Sequence, residues 1–117
     1  MIFINLTNHP SSGWSDEQLK AAQRYGEIVD FSFPVIEPDF SSKEIGELAD
    51  VVVESIKGMD NNPVVHVMGE MTFTYAVVSR LKSHGITCVA STTERLVKMM
   101  PEGKKISEFK FVQFREY

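Results

Sequence analysis

The sequence has very little cysteine: Cys88 is the only one among 117 residues. A single thiol cannot form an intramolecular disulfide, and it supplies too few thiolates for a structural zinc site. No apolar run approaches the roughly 20 residues that span a bilayer. The apolar start, residues 1–5, is too short for a secretion signal and has no basic flank. These absences predict a cytoplasmic protein that does not contact membranes.

The chain also lacks an excess of basic residues, since 12 Lys and Arg stand against 16 Asp and Glu, a formal net charge of −4. Binding to duplex nucleic acid needs many phosphate contacts from basic side chains, so that function is disfavoured. A small anionic ligand held by a few local donors is still compatible with this balance. Neither a G-x-G-x-x-G fingerprint nor a Walker A motif is present, so dinucleotide-binding and P-loop functions are weakly supported.

What the sequence does have is an alternation of β-rich runs and helical patterns. Strands are predicted at 2–6, 27–31, 63–68 and 86–90. Helices are predicted to begin at Ser15, Ser41 and Gly69–Glu70, the first two with capping-box spacing. Such alternation implies right-handed crossovers and a parallel sheet between helices. We therefore predict a single domain, residues 1–117, that is a small Rossmann-like three-layer α/β sandwich.

The last part of the chain departs from this alternation. Residues 96–100 and 106–115 flank a Pro-Glu-Gly-Lys turn, which predicts a C-terminal antiparallel β-hairpin added to the mainly parallel sheet. The aromatic residues of the final strand change phase between Phe111 and Phe114. This change predicts either a bulge at that point or cover on both faces of the strand.

Three polar segments follow the first, third and fourth predicted strands: 7–12, 69–74 and 91–95. In open α/β sheets, ligands bind outside the carboxyl ends of the strands. We therefore expect the three segments to form one site. Gly69 permits close backbone approach at a helix N-terminus that can bind an anion. Glu70 is interpreted as a ribose-hydroxyl acceptor, a general base or a helix-capping charge.

Arg95 is the cation of this edge that best fits a phosphate; the alternative is an ion pair with Glu94, Glu70 or Glu116. Asn8 and His9 could hold a base or a ribose. His9 could instead move a proton near neutral pH, or it could be an ordinary turn residue.

Other ionisable side chains favour structural roles. His66 alternates with valines inside a strand, which is typical of a histidine whose hydrogen bonds are satisfied in the core or at the edge of the sheet. Cys88 lies in a buried-strand pattern and is expected to pack. His9, His66 and His84 are scattered along the chain, so no metal site and no cofactor are predicted.

Three separated blocks together resemble a known family: 69–75 (GEMTFTY), 90–95 (ASTTER) and 109–117 (FKFVQFREY). The family comprises small stand-alone relatives of CARF domains, ring-nuclease-like CRISPR-associated proteins of type III systems. The match covers residues 63–117. Ser91 departs from it, because a threonine is expected there.

The resemblance implies a CARF-like homodimer, or a dimer of dimers, with a cyclic oligoadenylate across its two-fold axis. It implies metal-independent cleavage of cyclic tetra-adenylate, in which a ribose 2′-hydroxyl attacks its own phosphate, and hence the switching off of antiviral signalling. The catalytic residues are then expected to be His9, Ser11 and Arg95. The ligand-binding residues are expected to be Thr7, Asn8, Ser12, Gly69, Glu70, Thr72, Thr92 and Thr93.

Two other functions are compatible with the sequence. One is a protein that binds or senses the same ring without cutting it. The other is an unrelated Rossmann-like enzyme that handles a nucleotide or a sugar phosphate.

Overall fold

The computed structural model describes residues 1–117. Its strands are β1 (Ile2–Thr7), β2 (Glu27–Asp30), β3 (Val64–Met68), β4 (Thr87–Met99) and β5 (Lys105–Glu116). Its helices are α1 (Asp16–Gln23), α2 (Ser42–Met59) and α3 (Met71–Ser83), with a 3-10 turn at Ser11–Gly13. The strands form one sheet in the order β2-β1-β3-β4-β5. All neighbouring strands are parallel except β4 and β5. The predicted small Rossmann-like fold with an antiparallel C-terminal hairpin is confirmed.

The three layers follow from the alternation of side chains along the strands. Ile4 and Leu6 of β1 point to the face covered by α2 and α3, where the larger core lies. Phe3 points to the opposite face and packs with Ala22 of α1 in a smaller, aromatic-rich core. None of the three helices combines the length and the hydrophobicity that a membrane span requires.

The helix starts agree with the local sequence signals. The Ser15 hydroxyl accepts a hydrogen bond from the Gln18 N–H at 3.2 Å. Ser41 and Glu44 form a complete capping box, because each side chain accepts a hydrogen bond from the other residue's N–H. These caps satisfy backbone donors that would otherwise lack partners in the first turn.

The fourth strand is longer than predicted. We expected it to end near Ala90, with 91–95 as a connecting segment, but β4 continues to Met99. Only Thr87 to Val89 pair with β3, whereas β5 pairs with β4 along nearly its whole length. Continuous pairing with β5 therefore carries β4 beyond the edge of the parallel sheet. Residues 91–114 form a two-stranded projection, which we call the arm.

The arm explains the elongated shape of the domain. Its radius of gyration is 16.1 Å, whereas a compact chain of this length would have about 13 Å. A β-bulge lies where it was predicted: Thr92 pairs with Gln113 and Thr93 with Phe111, which leaves Val112 as the extra residue. Phe111 and Phe114 consequently lie together, with ring centroids 4.9 Å apart.

Candidate functional site

A cleft of about 1000 Å³ lies at the carboxyl ends of β1 and β3 and beside the middle of β4, where Ser91, Thr93 and Leu96 line it. β1 and β3 are adjacent in the sheet, although the chain passes through β2 between them. The cleft therefore lies where the strand order reverses, which is the usual ligand position in such sheets. The loop after β1 and the start of α1 form one wall, the end of β3 forms the floor, and the arm forms the other wall.

The loop after β1 is held by buried polar groups. The Asn5 amide is 1 % exposed and donates hydrogen bonds to the His9 carbonyl and to Asp30, both at 2.9 Å. The Trp14 indole N–H also donates to the His9 carbonyl, at 3.2 Å. Thr7 donates to the Asn5 side-chain oxygen at 2.9 Å and accepts from the His9 N–H at 3.1 Å. The backbone of His9 is thus fixed while its imidazole is left free.

Ser11 belongs to the same support. Its hydroxyl donates to Asp30 at 2.8 Å, and its backbone N–H donates to the other oxygen of that carboxylate at 3.1 Å. Burial acts to raise the pKa of Asp30, but the hydrogen bonds from Asn5 and Ser11 outweigh it, so that the pKa lies below its ordinary value. The predicted catalytic Ser11 therefore anchors the loop to the end of β2 and does not line the cleft.

Two predicted residues present unpaired side chains to the cleft. Asn8 and His9 both line it and are exposed, and neither side chain forms a hydrogen bond within the chain. An amide and an imidazole without internal partners can bind a ligand without first breaking a protein contact.

His66 corrects one expectation. It is 2 % exposed at the floor of the cleft, but neither of its ring nitrogens has a hydrogen-bond partner. The prediction that the hydrogen bonds of His66 are satisfied is therefore wrong. Burial, and to a lesser extent the charge of His9, lowers the pKa of His66 from 6.5 to about 4, so this imidazole is neutral at physiological pH.

The segment after β3 is mainly structural in this conformation. The Glu70 carboxylate accepts hydrogen bonds from the Thr72 N–H at 2.6 Å and from the Phe73 N–H at 3.3 Å, which caps α3. Hydrogen bonds from the Thr72 hydroxyl and backbone lower the pKa of Glu70. Gly69 lines the cleft, but a Cβ added there would collide with the Phe33 ring. Phe33 therefore supplies a packing reason for glycine at this position.

Alternation along β4 divides the third predicted segment. Thr93 lines the cleft, and Arg95 lies two residues further along the same face of the strand. Thr92 points to the opposite face and donates to the Gln113 carbonyl at 3.2 Å. Arg95 forms no ion pair, so the expected alternative partners are absent; its guanidinium donates to the Ser107 hydroxyl at 3.0 Å.

The cleft thus brings together part of the predicted set. The predicted residues that line it are Thr7, Asn8, His9, Gly69 and Thr93. Those outside the lining are Ser11, Ser12, Glu70, Thr72, Thr92 and Arg95. The roles assigned to both groups remain predictions.

Sequence reasoning missed the residues that give the cleft its chemical character. The aromatic lining residues are Trp14 from the loop after β1 and Phe109 and Phe111 from the arm, of which Phe109 is 69 % exposed and Phe111 is 8 % exposed; His66 lines the floor. Phe114, behind the lining, packs its ring 5.1 Å from that of His66. A polar residue inside an otherwise apolar strand, as at Asn5 and His66, was the available signal.

Charges around the cleft are unevenly distributed. Asp16 and Glu17 of α1 and Glu108 of the arm line it with a single lysine, Lys110. The arm as a whole has five basic and three acidic residues, a net charge of +2. Because the net charge of the whole chain is −4, the remaining residues together carry a net charge of −6. An anionic group in the cleft is therefore more stable towards the arm than towards α1.

Metal-binding groups do not cluster in this fold. No group of three or more His, Cys, Asp or Glu side chains is arranged to hold a metal ion. Cys88 is buried, and burial raises the pKa of its thiol to about 11. A neutral, buried thiol is a packing group and not a nucleophile.

Fold and cleft together define a small doubly wound α/β domain with one large polar and aromatic cleft at the carboxyl edge of its sheet. The chain belongs to the uncharacterized protein MJ1673 family, whose family model matches residues 1–115. No curated protein matches the chain. The family description names no activity.

Proposed function

We propose that this protein binds a cyclic oligoadenylate, with cyclic tetra-adenylate as the expected ring, and cleaves it without a metal ion. The observation that carries the proposal is the composition of the cleft, whose lining combines the unpaired side chains of Asn8 and His9 with the aromatic side chains of Trp14, Phe109 and Phe111. Flat aromatic surface suits nucleobases, and the unpaired groups suit ribose and phosphate. The volume is at the upper end of the roughly 300–1,000 Å³ of small-molecule sites.

In the proposed reaction, the 2′-oxygen of one adenosine attacks its own 3′-phosphate. The O2′–P bond forms and the P–O5′ bond breaks, which leaves a 2′,3′-cyclic phosphate and a 5′-hydroxyl. His9 accepts the 2′-proton as a general base, and the leaving 5′-oxygen takes a proton from solvent. Lys110 and Arg95, both on the arm, stabilise charge on the phosphorane. In the setting that the resemblance implies, this cleavage ends a cytoplasmic antiviral signal.

A second copy of the chain is part of this proposal. The arm exposes large apolar side chains, among them Phe109, which is 69 % exposed, together with Val97 and Met99. A two-stranded ribbon on its own is marginally stable, and its apolar surface gains stability when covered. The basic arm of one copy also complements the acidic body of another. A two-fold dimer would match the symmetry of an even-membered ring.

One observation favours a non-catalytic variant of the same function. The Ser11 hydroxyl, expected to be catalytic, donates a hydrogen bond to Asp30 at 2.8 Å, and Ser11 does not line the cleft. With a single unpaired imidazole available at the cleft wall, binding and sequestration of the ring is the second candidate function.

Incubation with cyclic tetra-adenylate in EDTA, followed by chromatography, separates these candidates. The proposal predicts loss of the ring and formation of products that end in 2′,3′-cyclic phosphate. Tight binding with an intact ring would select the sequestering function. The absence of binding would contradict both.

Two variants then test the phosphate side of the cleft. Arg95→Ala is expected to weaken ring binding about 10-fold or more, because the arm loses a charge-assisted contact. Arg24→Ala removes an exposed arginine at the end of α1 and is the control, with unchanged affinity expected. Equal affinities of the two variants would remove Arg95 from the site.

The dimer is tested separately by light scattering. The proposal predicts twice the 13.2 kDa chain mass, and Phe109→Ser combined with Val97→Ser is expected to shift the protein to a monomer. A wild-type monomer at micromolar concentration would contradict the two-copy arrangement.

A further inference from the structure

The imidazole of His66 is enclosed by hydrocarbon. Its ring centroid lies 6.0 Å from that of Phe3, 5.6 Å from that of Trp14 and 5.1 Å from that of Phe114. The Trp14 indole N–H is the polar group among these rings, and it already donates to the His9 carbonyl. No group of the chain forms a hydrogen bond with either His66 nitrogen.

An unpaired polar group in such surroundings is unusual, because a buried donor or acceptor without a partner destabilises the fold. A leucine of similar volume would fill the same space without that cost. His66 borders the cleft at its floor, but each ring nitrogen exposes less than 1 Å², so the side chains that cover it must shift for a ligand to reach either nitrogen. The geometry therefore indicates a group that acquires its partner from a ligand.

We propose that His66 recognises the edge of a planar heteroaromatic base that enters the cleft between Trp14 and the arm. The identity of the base as adenine rests on the proposed function; the recognition by His66 does not. Trp14 supplies aromatic surface on one wall, Phe109 and Phe111 supply it on the arm, and the polar edge of the base reaches the floor. Asn8 and Lys110, nearer the mouth, contact the ribose and phosphate.

The hydrogen-bonding capacity of His66 suits such an edge. A neutral imidazole has one N–H donor and one lone-pair acceptor. Nucleobases present ring nitrogens that accept hydrogen bonds and exocyclic amino groups that donate them. Because the pKa of His66 is lowered to about 4, the group carries no charge at neutral pH. It therefore selects for a hydrogen-bonding pattern and not for a phosphate.

Equilibrium binding of cyclic tetra-adenylate and of adenosine to four proteins tests this role. His66→Leu removes both polar atoms, His66→Gln keeps a donor and an acceptor, and His84→Gln replaces an exposed histidine at the end of α3 as the control. We expect His66→Leu to weaken binding of both ligands at least 10-fold with no loss of thermal stability. We expect His66→Gln to recover part of that loss and the control to bind like the wild type. A histidine needed for packing alone would show the opposite, with lower stability and unchanged affinity.

Histidine-selective NMR of the wild-type protein provides a readout that does not depend on variants. Addition of adenosine is expected to shift the ring-nitrogen resonances of His66 and to leave those of His84 in place. Unmoved His66 resonances at saturating ligand would overturn the inference.

The outcomes separate this inference from the proposed function. If the wild type binds adenosine through His66 but does not bind the ring, the proposed function fails and the base site remains. If the ring binds equally well to the wild type and to His66→Leu, the function stands and the role of His66 is wrong.

Discussion

The pH dependence of folding should reveal the unpaired histidine directly. The pKa of His66 is about 4 in the folded protein, against an ordinary value of 6.5. Between these two values the unfolded chain binds a proton that the folded chain does not. Stability therefore decreases as the pH falls from 6.5 towards 4, and above pH 6.5 the group has no further effect. Substitution of His66 by Leu should remove this dependence.

The expected size of the effect follows from the separation of the two pKa values. Each pH unit within the window changes the free energy of unfolding by about 1.36 kcal/mol. Lowering the pH from 7 to 4.5 should therefore cost the wild type about 2 kcal/mol through His66 alone. This is a large share of the stability of a small domain. The stabilisation from Asp30 is lost below the ordinary pKa of 3.8 for this carboxyl group. Contributions of this kind are the same in the wild type and in His66→Leu, so they cancel in the comparison.

The assay is urea unfolding at pH 7, 5.5 and 4.5 for the wild type, His66→Leu and His84→Gln. The difference in free energy of unfolding between His66→Leu and the wild type should grow by about 2 kcal/mol from pH 7 to pH 4.5, in favour of the leucine variant. His84→Gln should follow the wild type. Parallel pH profiles for the wild type and His66→Leu would refute the reasoning, because they would mean that His66 titrates alike in both states.

Two further predictions concern the support of the cleft, and a third concerns the proposed cleavage. Asn5→Ala should lower the free energy of unfolding by about 1–3 kcal/mol in a denaturant titration, because buried hydrogen bonds with His9, Asp30 and Thr7 are lost. The control, Asn62→Ala at an exposed position, should change it by less than about 0.5 kcal/mol. Equal effects of the two substitutions would show that the hydrogen bonds of Asn5 do not stabilise the fold. Gly69→Ala should lower the free energy of unfolding by about 1–3 kcal/mol, because the added methyl group collides with Phe33. Gly58→Ala lies inside α2, where the added methyl group meets nothing within 4 Å, and should raise the free energy of unfolding by about 0.5–1 kcal/mol. Melting temperatures of the two variants that shift in the same direction would refute this prediction. His9→Ala should slow ring cleavage about 100-fold or more. Binding should be unchanged, because the loop is held through the backbone of His9. An unchanged cleavage rate would show that His9 is a turn residue without a catalytic role.

Local sequence signals predicted the fold well because each acts over a few residues. The capping pairs at Ser15 and Ser41 and the phase change between Phe111 and Phe114 correspond to observed caps and an observed bulge. The end of β4 was missed because it depends on a partner strand about 20 residues away. Ser91 to Arg95 have the composition of a connection, but pairing with β5 overrides it.

The candidate site was only partly predictable for a similar reason. Topology alone places the ends of β1 and β3 together, so Asn8 and Gly69 could be expected at one edge. Whether a side chain faces the cleft or supports it depends on tertiary partners. Ser11 binds Asp30 of β2, and His66 lies beneath Trp14. Nothing in the segment around either residue specifies those contacts.

The central claim is that the cleft binds cyclic tetra-adenylate, and calorimetric titration of the wild type and of Thr93→Trp with this ring tests it most directly. The tryptophan places a large side chain in the cleft. Ser55→Trp, on the exposed side of α2, is the matched control. The account predicts saturable binding to the wild type and to Ser55→Trp, and its loss in Thr93→Trp. Equal binding to all three proteins, or binding to none of them, would contradict it.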